Sequence, residues 1–250
     1  MMFTGKVAMI TGASVGIGRA CALKMAREGA CLILLDRNPE TLEAIQGELL
    51  AQMGPGGGDR LFVRACDVSD EQQVNETVRE AAAKFGRVDI LVNNAALWRC
   101  WSPFLEVPTE EWKKFFDVNV LGTVYCTRAV LGGMLERGYG RIVNVGSVAG
   151  VYGNANMVHY SATKGALIAL TKALAKEVAA QGVTVNCVAP GSVSPSEHSD
   201  VTYTEPSLLS FMGRTGSDAE NAALICFLAS DEASYISAQN IQIDGCRRKQ

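Results

Sequence analysis

The sequence predicts an α/β chain: a doubly wound, seven-stranded parallel sheet with helices on both faces, folded as a single domain over 1–250. Three observations predict it. Short β-compatible runs alternate with helix-length segments along the whole chain, which implies right-handed crossovers and a sheet covered on both sides. The first run opens directly into a glycine-rich turn followed by apolar residues at helical spacing. The second run is closed by an acid, Asp36. No composition shift or repeat interrupts this rhythm.

Taken in order, Val7-Ala8-Met9-Ile10 is the first strand, and the helix after the glycine turn runs through Ile17, Cys21, Leu23, Met25 and Ala26 until Gly29. Cys31 to Asp36 is the second strand. Asn38-Pro39 starts the next helix, with an N-cap side chain and proline at the first position. A glycine-rich loop over 53–58 precedes a third strand, Leu61 to Ala65, and Ser69-Asp70-Glu71-Gln72 has capping-box spacing for the helix beyond it. Asp89 to Asn93 is the fourth strand, and Thr109 caps a long helix reaching about Leu135. Arg141 to Val145 is the fifth strand, Tyr160 to Ala180 a helix, and Thr184 to Val188 the sixth strand. Ser217-Asp218-Ala219-Glu220 caps a last helix before the final strand, Asn240 to Ile243.

Composition narrows the function classes. A net charge of −3 gives no reason to expect nucleic acid or an anionic membrane as a partner, and Arg247-Arg248-Lys249 reads as a short solvated tail. No uninterrupted apolar run is long enough to span a bilayer, and no secretory layout precedes the first strand. The eight cysteines include no CxxC pair, so they read as reduced and buried in a cytoplasmic protein, with no metal site; Cys100 and Cys246 are placed nearest a surface or cleft.

The chemistry centres on Tyr160 and Lys164. Four residues is about one helical turn, so both side chains leave the helix on one face. A charged lysine beside a phenol favours phenolate and makes the tyrosine a general acid/base for an alcohol or a carbonyl. The glycine turn, Gly12-x-x-x-Gly16-x-Gly18, lies between a strand and a helix, where backbone can approach a pyrophosphate at the helix N-terminus. Ser14, Val15 and Ile17 belong to the same turn. Asp36 ends the second strand 18 residues after Gly18, close to the spacing at which an acid meets the adenosine ribose. Its charge would repel the 2′-phosphate of NADP, an effect Arg37 offsets only in part, so NAD is favoured over NADP. Asp67-Val68 follows the third strand, where an adenine amino group could be held, and Asn94-Ala95 follows the fourth.

With these residues in hand, the chain resembles the short-chain dehydrogenase/reductase family, a group of compact Rossmann-like oxidoreductases, over nearly its whole length. The matching residues are Thr11-Gly12-x-x-x-Gly16-Ile17-Gly18, Asp67-Val68, Asn93-Asn94-Ala95, Asn119, Ser147, Tyr160-x-x-x-Lys164 and Pro190-Gly191. The resemblance implies that Tyr160 exchanges the substrate proton and that Lys164 lowers the tyrosine pKa and binds the nicotinamide ribose. It implies further that Ser147 bonds the substrate oxygen, that Asn119 holds a relay water, and that Pro190, Gly191 and Val193 border the nicotinamide. It also implies a homotetramer, or a dimer, built on the two long helices and the C-terminal segment. The chain departs from the family pattern at Ala96, Gly146, Pro195 and Cys246. Pro195 replaces a threonine that bonds the nicotinamide carboxamide, with Ser194 or Ser196 as substitutes.

Substrate selection is assigned to loops at the carboxyl edge. Trp98 and Trp101 follow the fourth strand, Tyr152 and Asn154 follow Ser147, and 192–213 reads as a mobile substrate loop. Arg99 reads as solvated. The expectation is hydride transfer between NAD(H) and a secondary alcohol or ketone, on a small polyol-like or cyclic substrate. The alternatives are an NADPH-dependent 3-oxoacyl (acyl-carrier-protein type) reductase and a catalytically silent NAD-binding sensor.

Overall fold

The computed structural model describes residues 1–99, 101–194 and 200–248. Cys100, Pro195, Ser196 and Lys249 lie outside the described residues.

Seven strands form one parallel sheet in the order β3-β2-β1-β4-β5-β6-β7. They are β1 (Val7–Thr11), β2 (Cys31–Asp36), β3 (Leu61–Ala65), β4 (Ile90–Asn93), β5 (Gly140–Val145), β6 (Val183–Pro190) and β7 (Asn240–Ile243). Strand order reverses between β1 and β4, so the chain leaves these neighbours in opposite directions and opens a crevice at their carboxyl ends. The helices are α1 (Gly16–Arg27), α2 (Pro39–Met53), α3 (Glu71–Phe85), α4 (Thr109–Phe116), α5 (Gly122–Arg137), α6 (Ala149–Tyr152), α7 (Val158–Val178) and α8 (Asp218–Leu228). Alternate strand residues feed two cores. Ile10, Leu32, Leu34 and Val92 pack with α1, α2 and α8, whereas Met9, Ile33, Leu91 and Val185 pack with α3, α5 and α7.

Local capping explains most boundaries. Asn38 accepts from the N–H groups of Glu40 and Thr41 and sets Pro39 at the first position of α2. Ser217 and Glu220 close a reciprocal capping box on α8. At α3 the expected Ser69 cap is displaced by one residue. Asp70 accepts from Gln72 and Gln73, because the Ser69 hydroxyl is already bonded to Asp67 Oδ1 at 2.7 Å.

The long helix expected from Thr109 is continuous to Arg137, but a π turn over Asp117–Leu121 separates α4 from α5, and Pro108 rather than Thr109 holds the N-cap position. Its most apolar 18-residue window has a mean hydropathy of 1.2, enough by length and composition to cross a membrane. No uninterrupted apolar run of that length was expected from the sequence, and Asp117 and Arg128 do interrupt the helix. Of that window, 39% is buried inside the fold, where Cys126, Val130 and Met134 pack on the sheet.

Candidate active site

A cavity of about 570 Å³ runs along the carboxyl edge of the sheet and across the β1/β4 crevice. At one end it meets Asp36, Arg37, Asp67 and Val68; at the other it meets Ser147, Tyr160 and Lys164. The glycine turn floors the passage between them through Gly12, Val15, Gly16 and Ile17.

The turn is built to bring backbone close to a ligand. Gly12 has φ +60°, and a Cβ there would stand 2.9 Å from both Ala95 Cα and Asn94 Nδ2. Gly18 does not line the cavity. Any side chain on it would collide with the Gly12 carbonyl, so it allows α1 to start against the turn. Asn94 reaches the cavity and also clamps the turn, donating from Nδ2 to the carbonyls of Thr11 (3.0 Å) and Gly12 (2.8 Å). Thr11 completes the clamp, since its Oγ1 accepts from the N–H groups of Asn94 and Ala95 at 3.0 Å. Ser14 does not line the cavity either. It is buried, and its hydroxyl donates to Asp36 Oδ2 at 2.6 Å.

At the other end, α7 presents Tyr160 and Lys164 to the same cavity, with Lys164 Nζ 5.7 Å from the Tyr160 ring centroid. Lys164 is 2% exposed, and its ammonium donates to the Val145 carbonyl at 2.7 Å. Burial lowers its pKa to about 8, an effect the neighbouring Cys187 partly opposes. Ser147 follows β5, and its Oγ accepts from the Ala149 N–H at 3.1 Å, which leaves the hydroxyl proton free to donate into the cavity.

Asn119 sits in the π turn and is 1% exposed. Its side chain pins the loop after β4, accepting from the Leu97 N–H at 2.7 Å and donating to the Leu97 carbonyl and Thr163 Oγ1 at 3.0 Å. Its carbonyl accepts from Thr123 Oγ1 at 3.1 Å. The side chain thus ties Leu97 and Thr163 to the π turn.

Of the expected substrate residues, Trp98, Trp101 and Asn154 line the cavity. Tyr152 does not. Its hydroxyl donates to Gln242 Oε1 at 2.5 Å, so α6 directs the ring toward β7 instead. Pro190, Gly191 and Val193 border the cavity as expected, together with Ser192 and Ser194. Arg99 stays outside it, over the Trp98 indole at 5.1 Å. Sequence reasoning missed Arg247, which is no solvated tail: it lines the cavity and donates to Asn154 Oδ1 at 3.1 Å. Nothing in the local sequence marks it, because its place depends on how the last residues pair with a distant loop. Among the described residues no cluster of side chains has the makings of a metal site.

The family model for short chain dehydrogenases matches residues 6–205. The 2-dehydro-3-deoxy-L-rhamnonate dehydrogenase (NAD(+)) of Sphingomonas sp. (strain SKA58) is 37% identical over 98% of this chain and 96% of its own length. The 3-oxoacyl-[acyl-carrier-protein] reductase FabG of Thermotoga maritima is 40% identical over 98% of both chains. The crystal structure of an NAD+-bound xylitol dehydrogenase superposes with a TM-score of 0.88 at 32% identity, covering 98% of this chain and all of that one. The matched segment carries both the glycine turn and the Tyr160–Lys164 helix, and the chain therefore belongs to the short-chain dehydrogenase/reductase family of nicotinamide-dependent oxidoreductases.

Proposed function

We propose that the enzyme interconverts a secondary alcohol and its ketone on a small polyol-like or cyclic substrate, with NAD(H) as the hydride partner. The observation that carries this reading is one continuous cavity joining Asp36 to Ser147, Tyr160 and Lys164. The residues fit a dinucleotide. A glycine turn with no room for a side chain at Gly12 or Gly18 sits between an acid able to bond ribose hydroxyls and a basic, proton-exchanging end.

The bound nicotinamide supplies the acceptor or donor of the hydride. Gly12, Gly16 and Ile17 would hold the pyrophosphate, Asp36 the adenosine ribose, and Pro190 to Val193 the nicotinamide end. Tyr160 takes the proton of the substrate hydroxyl in oxidation and returns it in reduction. The Lys164 ammonium favours the phenolate form, and the Ser147 hydroxyl donates to the substrate oxygen as charge develops there. Backbone contacts hold both helpers in place. Val145 fixes Lys164, and Ala149 fixes Ser147. Two relatives support the polyol-like reading by their names, one acting on a rhamnonate derivative and one on xylitol.

Screening alcohols and ketones by NADH absorbance tests the reading, with Tyr160→Phe as the control. The variant should lose at least ~100-fold in turnover and still bind NADH; a variant that keeps most of its activity removes Tyr160 from the proton path. A second reading, an NADPH-dependent 3-oxoacyl reductase, is favoured by the FabG relative and opposed by Asp36. A clear preference for NADPH with acyl thioesters would select it. We further propose a cytoplasmic homotetramer or dimer built on the two long helices and the C-terminal segment, a reading supported by exposed Phe116 at the end of α4 and Leu121 in the π turn; light scattering after size exclusion reads the state directly.

A further inference from the structure

Beyond β7 the chain turns at Gly245 (φ 62°) and Cys246 (φ 58°) and runs back along the loop before α8. There Phe211 N–H donates to the Cys246 carbonyl at 2.9 Å, Met212 N–H to the Gly245 carbonyl at 3.2 Å, and Arg248 N–H to the Leu209 carbonyl at 3.0 Å. This pairing carries Arg247 into the cavity that holds Tyr160 and Ser147. Its Nη2 donates to Asn154 Oδ1 at 3.1 Å, and Asn154 is itself fixed by its N–H to Ser161 Oγ at 3.2 Å.

A guanidinium is always charged and carries five N–H donors. The described contact of this one is with a neutral amide, and among the described residues no carboxylate lies within ion-pairing distance of its side chain. Arg214, further back in the same loop, shows the contrast: it is closed by Glu220 at 2.6 Å. The other charged groups along the cavity have work elsewhere. Asp36, Arg37 and Asp67 stand at the adenosine end, Lys164 is bonded to Val145, and Asp218 belongs to α8. Around Trp98, Trp101 and Leu209 the lining is otherwise uncharged. A positioned guanidinium with donors to spare on such a wall fits a planar anion, which it can bind through two parallel N–H groups. Phosphate would call for further cations or a helix N-terminus, and the lining groups of that kind are committed elsewhere: Arg37 and the start of α1 to the dinucleotide, and Lys164 to Val145.

We infer that Arg247, oriented by Asn154, binds a carboxylate of the substrate. The enzyme's alcohol is then a hydroxy acid, and its ketone the matching oxo acid, with the carboxylate remote from the reacting carbon. The inference rests on the alcohol–ketone reading of this cavity, and it replaces a general polyol by an acidic one.

The test compares aldonates of four to six carbons with the alditols of the same configuration, using wild type, Arg247→Gln and Arg247→Lys. Glutamine keeps a donor for Asn154 and removes the charge. With NAD+, the wild type should favour aldonates. Arg247→Gln should lose at least ~30-fold in kcat/KM on them, chiefly through KM. It should change by less than ~3-fold on alditols, and lysine should restore part of the loss. Equal losses on both classes would make Arg247 a structural pin and overturn the inference, as would a wild-type preference for alditols. Thermal shift of the NADH complex separates this outcome from failure of the alcohol reading. Aldonate-specific stabilisation that vanishes in Arg247→Gln, without turnover of either class, keeps the anchor and rejects the chemistry. No stabilisation of wild type by aldonates beyond that by alditols overturns the anchor.

Discussion

Ser14 holds Asp36 twice: its backbone N–H and its hydroxyl both donate to Asp36 Oδ2, at 3.2 and 2.6 Å. Thr41 Oγ1 in turn donates to the Ser14 hydroxyl at 2.8 Å, so a chain of three side chains fixes the acid at the adenosine end. Ser14 does not line the cavity, so its part in the proposed cofactor site is to hold Asp36.

That relation makes cofactor choice sensitive to a residue outside the cavity. Asp36→Ala should lower the NAD over NADP ratio of kcat/KM by about 100-fold, the effect of removing a like charge from beside a phosphate. Ser14→Ala keeps the backbone contact and loses one bond to a charged group, so a smaller change of about tenfold is expected. Steady-state kinetics with both cofactors measures it. Unchanged ratios in both variants would remove Asp36 from cofactor selection.

Lys164 supplies a pH dependence. In the free protein burial holds its pKa at about 8, below the ordinary lysine value of 10.5. A dinucleotide brings two phosphate charges into the cavity, which favours the ammonium and raises that pKa. The protonated protein therefore binds better, and NADH binding takes up a proton above pH 8. Affinity should be flat below pH 8 and should weaken above it, approaching tenfold per pH unit. In Lys164→Met the slope should vanish. Fluorescence titration from pH 6.5 to 9.5 reads this; a slope that survives in the variant belongs to another group.

The sequence carried what depends on neighbours in the chain. Parallel crossovers follow from alternation, although the spatial order that sets β1 beside β4 does not; the caps at Asn38 and Ser217 follow from side chains one turn from the N–H groups they bind, and the shared face of Tyr160 and Lys164 from helical spacing. What it hid depends on competition or on distance. Ser69 looked like a cap until Asp67 claimed its hydroxyl, and Tyr152 looked like a pocket residue until Gln242, 90 positions on, turned it away. The π turn that buries Asn119 has no periodic signature, since one added residue per turn leaves the apolar pattern on either side intact. Arg247 could be placed only by knowing which loop its strand-like segment pairs with.

Gly146 and Cys187 form a matched pair beneath Lys164. A Cβ on Gly146 would stand 2.7 Å from Cys187 Sγ and 3.3 Å from the Val188 carbonyl. Cys187 is fully buried, and burial pushes its thiol up to about 11, so it behaves as a packing residue. A serine at position 146 has no room here. Gly146→Ser should destabilise by about 1–3 kcal/mol, and Cys187→Ala in the same chain should recover part of that by vacating the sulfur's volume. A coupling energy of at least about 1 kcal/mol in a double-mutant cycle is expected. Additive effects would show that the two side chains do not compete for space.

Asp218 makes stability fall with rising pH. It is the first residue of α8, 7% exposed, and burial raises its carboxyl pKa to about 6 although Arg19 works against the shift. A carboxyl whose folded pKa exceeds its unfolded value is better tolerated protonated. The folded state therefore holds more protons than the unfolded state between about pH 4 and pH 6. Stability is lost across that window and stays low above it, while below it both states are protonated and the cost disappears. Asparagine has the same shape and no charge, so Asp218→Asn should be more stable than wild type at pH 7.5 by roughly 2 kcal/mol. For a chain of this size that is a rise in Tm of about 4–8 °C. The helix N-terminus favours an acid here by a few tenths of a kcal/mol to about 1 kcal/mol, too little to reverse the sign. Thermal melts of both proteins from pH 4 to pH 8 should converge at the acid end. A gap that is independent of pH, or a variant that melts lower at pH 7.5, would show that the buried carboxylate is better solvated than its surroundings indicate.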